Sequence, residues 1–255
     1  MKVIGPWEIE WLPKDGGRIS RLRFAGKDLL TRAPLHFQAP SAQWGEYEKR
    51  PVYGYDDCFP TVEPSEPWPD HGELCWLQWV GDECRASASS RMASVTFNRS
   101  LQPLDDRLVW KFEATNHSDA PFPFQHAMHP LVPLDEICAL ELPSCSSHET
   151  AELSSRFLSW PKGETEMFYL QNIRDGHVSW SYRDGPNVHL EFDVRRFPTL
   201  GIWWNRDGYP DEEGCRRNEA AFEAISGPDS LLAHGTTTVL PPGGTDCWSY
   251  IWRMS

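Results

Sequence analysis

"RLVWKFEATNHS", residues Arg107 to Ser118, alternates almost without a break. Leu108, Trp110, Phe112 and Ala114 fall on one side; Val109, Lys111, Glu113 and Thr115 fall on the other. A period of two belongs to a β-strand with one buried face, whereas a helix repeats its apolar positions every three or four residues. "RISRLRFAGKDLL" (Arg18 to Leu30) reads as a strand, a Gly-containing turn and a second strand. "CRASASSRMASVTFNRSL" (Cys84 to Leu101) reads as one half-exposed strand. "HVSWSYRDGPNVHLEFDV" (His177 to Val194) holds two alternating runs joined by Arg183-Asp184-Gly185-Pro186, a hairpin signal. "TLGIWWNRDG" (Thr199 to Gly208) and "DCWSYIWRM" (Asp246 to Met254) add two more strands. Convincing helices are scarce, and the best candidate, Thr150 to Phe157, is short. Ala33 to Pro69, rich in Pro, aromatics and acids, is expected to be an ordered excursion over a sheet. No composition shift marks a linker and no repeat is visible. The expectation is an all-β chain, one large antiparallel domain over residues 1–255.

Composition narrows the function. Lys and Arg total 24 against 37 Asp and Glu, a net charge of -13, and such a field repels phosphate backbones. No nucleic-acid partner is expected. No apolar run approaches the roughly 20 residues that span a bilayer, and Pro6, Glu8 and Glu10 interrupt the N-terminal segment, so neither a membrane nor a secretory signal is expected. A cytoplasmic protein follows, a monomer or homodimer. The seven cysteines include no Cys-x-x-Cys, which argues against a zinc ribbon and for reduced thiols. The 13 Trp suit spaces between sheets, and equally the apolar faces of a sugar ring.

Four stretches carry candidate chemistry. "FQHAMHPLVPL" (Phe124 to Leu134) sets two histidines three residues apart. Pro121, Pro123, Pro130 and Pro133 argue against a helix, and on a strand residues three apart face opposite ways. His126 and His129 therefore cannot share a metal ion unless the chain bends between them. In "NEAAFEAISGPDSLL" (Asn218 to Leu232), Glu223 sits mid-strand with Ala221 and Ile225 on its own face. Burial there would raise the carboxyl's proton affinity toward that of a general base, although an edge strand with Glu223 in solvent is also open. "WPDHGELCWLQW" (Trp68 to Trp79) places His71 in a loop that opens a strand carrying Trp76 and Trp79. In "YGYDDCFPTVEP" (Tyr53 to Pro64), Asp56 and Asp57 read as turn caps or as acceptors for ligand hydroxyls.

Taken in order, "DHGELCW", "HAMHPLV", "RFPTLGIWWN" and "AFEAISGPDSL" resemble the aldose 1-epimerase (galactose mutarotase-like) family, from about Tyr55 to Arg253. The resemblance implies a β-supersandwich with a sugar cleft and cofactor-independent interconversion of α and β anomers. It implies that Glu223 is the general base, His129 the general acid, and His71 a sugar-binding histidine. Further sugar contacts are expected from Asp57, His126, Trp204 and Asn205, although alternation lets only one of Trp203 and Trp204 face the cleft. The ligand expected is a monosaccharide or related sugar, with no cofactor and no metal. The chain lacks the family's Arg after the His-Gly, its Gln-containing strand and any Arg cluster suited to a sugar phosphate. Two other readings remain: a non-catalytic carbohydrate-binding protein on the same fold, and a metal-dependent cupin-like isomerase or dioxygenase using His71, His126, His129 and Glu223.

Overall fold

Arg107–Asn116 forms the strand that its alternation requires, and Leu108, Trp110, Phe112 and Ala114 are each no more than 1% exposed. It pairs antiparallel with Thr245–Met254 on one side, Trp110 opposite Tyr250 and Phe112 opposite Trp248. On the other side it pairs with Val95–Pro103. Residues directly opposite share a face, so the buried columns line up across the sheet. The result is an eight-stranded antiparallel sheet, in the order Ile137–Glu141, His177–Tyr182, Asn187–Glu191, Thr245–Met254, Arg107–Asn116, Val95–Pro103, Arg85–Ser89, Val80–Gly81. The computed structural model describes residues 1–34, 44–145, 150–210 and 216–255. Residues 35–43 of the Ala33 to Pro69 stretch, and Cys215, lie outside the described residues.

Two smaller sheets face this one. The first takes in the N-terminal strands, Tyr55–Cys58 and Ala127–Pro130; the second runs Val132–Pro133, Asn218–Ile225, Thr199–Arg206, Glu164–Gln171. The chain steps from one to the other across Leu131, between Ala127–Pro130 and Val132–Pro133. Between the layers Tyr55 meets Trp110 (centroids 4.5 Å), Phe59 meets Phe97 (5.0 Å) and Phe222 stacks on Trp180 (4.9 Å). Each aromatic buried here removes 150–250 Å² from water, an upper bound of about 4–6 kcal/mol. The antiparallel all-β architecture expected from the alternation is observed, as is the sandwich that the family resemblance implies.

Several local expectations need correction. Cys84 to Leu101 is not one strand but a hairpin, Arg85–Ser89 paired with Val95–Pro103. Its turn is closed by the Ser90 hydroxyl, which accepts from the backbone N–H groups of Met92 and Ala93. Trp76 stands in a 3-10 turn, Leu74–Trp76, rather than on a strand. Thr150–Leu158 is a helix, burying Leu153 and Phe157. Asp56 and Asp57 lie within the strand Tyr55–Cys58 and cap no turn. The stretch that holds His126 and His129 is not one continuous strand: Phe122–Phe124 pairs with Thr238–Leu240, and Ala127–Pro130 pairs with Tyr55–Cys58. At the break, the backbone N–H of Gln125 donates to the Pro60 carbonyl and that of His126 to Ser226 Oγ. Among the described residues, no helix is long and apolar enough to cross a membrane.

Candidate active site

The strand Asn218–Ile225 is buried on both faces. Ala220, Phe222 and Ala224 join the central core, and the other face presents Glu219, Ala221, Glu223 and Ile225. Pairing fixes what stands beside them: Gly201 opposite Glu223, Trp203 opposite Ala221, Asn205 opposite Glu219, with Met167 and Tyr169 one strand further on. A Cβ at Gly201 would stand 3.0 Å from Met167 Cε and 3.5 Å from Glu223 Cβ, so glycine leaves open the space beside the carboxylate. This floor, with walls that include Tyr47, His71, His129 and Arg217, encloses a cavity of about 300 Å³. That is the lower end of the range for small-molecule sites. A broader depression of about 1140 Å³ lies across the eight-stranded sheet, where Ser87, Asn98, Lys111 and Glu113 offer polar groups rather than a buried acid–base couple.

His129 sits directly across the strand pair from Asp56. Its Nδ1 lies 2.8 Å from Asp56 Oδ1 and 3.2 Å from the Tyr47 hydroxyl, and its Nε2 lies 3.9 Å from Glu223 Oε1. Asp56 is fixed in turn by Arg50 Nη1 at 3.1 Å, with Arg18 Nη1 at 3.9 Å. An ionised Asp56 assigns a proton to Nδ1, leaving Nε2 to face Glu223 and the cavity. Burial alone would raise Asp56, but its hydrogen bond to His129 and the charges of His129, Arg18 and Arg50 hold it far below the ordinary carboxylate range. Burial alone would lower His129; the Asp56 hydrogen bond and the charges of Glu223 and Asp56 outweigh it, and the imidazole's pKa is raised. Burial raises Glu223, against the opposing charges of His129 and His71. The cavity thus joins an imidazole whose charged form is favoured to a carboxyl with raised proton affinity.

His71 reaches this site from a constrained loop. It adopts φ 61°, a left-handed conformation uncommon outside glycine, and its N–H donates to the Val62 carbonyl. The next residue, Gly72, has φ 69°, and a Cβ there would stand 2.1 Å from the Phe59 carbonyl oxygen. The His71 ring stacks on Tyr47 at 3.6 Å between centroids and meets the His129 ring edge-on at 4.9 Å. Its Nδ1 lies 3.1 Å from Asp70 Oδ2. Strained backbone of this kind persists where the surroundings over-determine it.

Four residues expected to touch a sugar do not line the cavity. Asp57 is fully buried and turned the other way from Asp56, its oxygens taken by Arg99 Nη1 at 2.6 Å, the Tyr55 hydroxyl and His126 Nε2 at 3.4 Å. His126 is buried against Phe112 and Trp248, its Nδ1 accepting from Trp248 Nε1 at 3.0 Å. Trp204 packs on Phe157 and Phe222, and it is Trp203 that lines the cavity. Asn205 shares a strand face with Trp203, but its carbonyl accepts from the backbone of Gly208 and Tyr209 and its amide donates to the Tyr209 carbonyl. Of the adjacent acids it is Asp56, not the expected Asp57, that faces the site. Sequence reasoning missed Tyr47, Tyr169, Arg217 and Glu219. Glu219 carried a signal, since it lies four residues before Glu223 and a period of two puts both on one face.

His126 and His129 point into different environments, and among the described residues no group of three or more His, Cys, Asp or Glu is arranged to hold a metal ion. Neither a protein-family model nor a curated protein sequence matches the chain. Solved structures do. A protein from Synechocystis sp. PCC 6803 superposes with a TM-score of 0.76 at 16% identity, over 98% of this chain and 92% of that one. A candidate aldose 1-epimerase from Escherichia coli K12 gives 0.69 at 14%, over 98% and 96%. A galactose mutarotase-like protein from Clostridium acetobutylicum gives 0.61 at 14%, over 98% and 92%. At such identities the likeness speaks for architecture: the chain has the galactose mutarotase-like fold.

Proposed function

We propose that the chain is a cofactor-independent aldose 1-epimerase that interconverts the α and β anomers of a monosaccharide. The observation that carries this reading is the line Asp56–His129–Glu223, with its 2.8 Å and 3.9 Å spacings, facing a cavity of about 300 Å³. Simple sugar binding has no need of such a couple, whereas ring opening needs two opposed proton transfers. Glu223 takes the proton of the C1 hydroxyl while His129 Nε2 gives one to the ring oxygen, and the bond from C1 to the ring oxygen breaks. Rotation about C1–C2 turns the aldehyde. The former ring oxygen then attacks its other face, returning its proton to His129 as Glu223 protonates the carbonyl oxygen. Asp56 holds Nδ1 throughout, so the proton that moves is the one on Nε2. Tyr47 and His71 position the ring pair, and Trp203 offers an apolar face to the sugar's C–H side.

The couple requires Glu223 ionised and His129 protonated. Activity therefore rises with pH as Glu223, raised by burial, loses its proton, and falls as His129, raised by Asp56, loses its own. The test is anomer exchange measured by NMR across a panel of aldoses. Wild type should exceed the buffer rate for at least one sugar, and Glu223→Gln and His129→Ala should each lose roughly 10²–10⁴-fold. Sugar binding without acceleration would instead favour a carbohydrate-binding protein.

A further inference from the structure

Glu223 and His129 occupy one end of the cavity; a second buried carboxylate, unused by proton transfer at C1, occupies the other. Glu219 lies on the same face of the same strand, 1% exposed, and lines the cavity. Among the described residues neither of its carboxylate oxygens receives a hydrogen bond of good geometry. Burial raises its pKa, and the charges of Arg217 and His129 and the Trp203 and Asn205 side-chain donors beside it offset that only in part. Arg217 Nε stands 3.3 Å from Oε1, an ion-pair contact, but Arg217 Nη1 is committed to the Val52 carbonyl and the guanidinium lies over the Tyr209 ring. A carboxylate has about four lone-pair sites, and a buried one whose sites are largely unfilled is a demanding acceptor.

Spacing says what would satisfy it. Four residues along a strand separate the two glutamates by about 13 Å, and a hydrogen bond of about 2.8 Å at each end leaves roughly 7 Å between them. That gap takes one pyranose ring and not two. Charge says more: Glu63, Asp70, Glu219 and Glu223 all line the cavity, against Arg217 and the two histidines. Glu63 already accepts from the hydroxyls of Tyr169 and Ser230, and Asp70 lies beside His71, whereas neither oxygen of Glu219 has a well-formed hydrogen bond.

We propose that Glu219 is a substrate-binding residue that accepts hydrogen bonds from two adjacent hydroxyls at the far end of an uncharged aldopyranose. It thereby sets specificity against aldoses that carry a phosphate or carboxylate there. The inference rests on the epimerase reading and deepens it by naming the substrate class. A hydroxyl pair supplies donors to a site rich in acceptors. An anionic group in the same place would meet Glu219 in surroundings where charge repulsion is little screened.

The experiment reads binding separately from turnover. Saturation-transfer NMR titrations of D-glucose, D-galactose, their 6-phosphates and their uronates are run on wild type, Glu219→Gln and Glu219→Ala, beside anomer exchange on the same samples. Wild type should bind at least one neutral aldose and reject its 6-phosphate and uronate. Glu219→Ala should weaken that affinity about tenfold or more for each hydrogen bond lost, raising KM by more than it lowers kcat. Glu219→Gln, which keeps the shape and one acceptor, should fall between, and it carries the test if the alanine variant does not fold. Unchanged affinity in the variants, or a wild-type preference for the 6-phosphates, overturns the assignment of Glu219. If binding depends on Glu219 but no sugar is accelerated, only the epimerase reading falls.

Discussion

Replacing Asp56 by Asn tests whether the proton on His129 is set by its neighbour. The substitution keeps the shape of the side chain and removes the charge facing Nδ1 at 2.8 Å. Four influences raise the imidazole's pKa against burial: the Asp56 hydrogen bond and the charges of Glu223, Asp56 and Glu219, so that two of the four come from Asp56. A hydrogen bond to a charged group contributes about 1.5–3 kcal/mol, or roughly ten- to a hundredfold in the population of the protonated ring. The alkaline limb of the pH–rate profile should therefore move to lower pH. At the high-pH side of the wild-type optimum the rate should fall by the same ten- to a hundredfold. The assay is anomer exchange by NMR from pH 5 to 9, with a ¹H–¹³C titration of the His129 ring on the same protein. Arg18 and Arg50 keep Asp15 as a partner, at 2.6 and 2.8 Å, so the variant should fold. An alkaline limb that stays in place while the ring titration moves would show that His129 is not the proton donor. A ring titration that stays in place would refute the role given to Asp56.

Asp57 should behave oppositely to Asp56. Asp57→Ala leaves Arg99 buried without its partner, and urea unfolding should show a loss of about 3–5 kcal/mol. Burial raises Asp57, but Arg99 and the His126 and Tyr55 hydrogen bonds outweigh it, so its native pKa lies below the ordinary aspartate value. Its contribution to stability is then present above that value and lost as pH falls toward the native one, and Asp57→Asn should blunt acid unfolding measured by circular dichroism. The adjacent tryptophans should also part company: Trp204→Ala should cost about 3–5 kcal/mol of stability, and Trp203→Ala should mainly raise KM.

The strands were largely legible because each buried face writes a period of two, most plainly in Leu108 to Ala114 and in the hairpin around Asp184-Gly185. Glu223 stood out as a carboxylate inside an apolar strand, and His129 as a histidine held extended before Pro130. Other features depend on which strands pair. Asp56 and Asp57 are adjacent acids on one strand, and only the pairing of Asp56 with His129, across 73 residues, decides which faces the site. Trp203 and Trp204 pose the same choice of phase, decided by Gly201 standing opposite Glu223. The break at Gln125-His126 was hidden because its hydrogen bonds go to Pro60 and Ser226, distant in sequence.

The two-faced strand Asn218–Ile225 has a consequence for how faithfully the site is made. Phe222 and Glu223 are neighbours in sequence but serve opposite sides, one stacked on Trp180 and the other beside His129. A slip of one residue in pairing would exchange them, driving a carboxylate into the aromatic core and a phenyl ring into the cavity. Such a molecule would forfeit its core packing at the same moment as its chemistry. Proofreading of the acid–base pair is thus built into folding itself, and a stable chain with this strand misthreaded is not among the products expected.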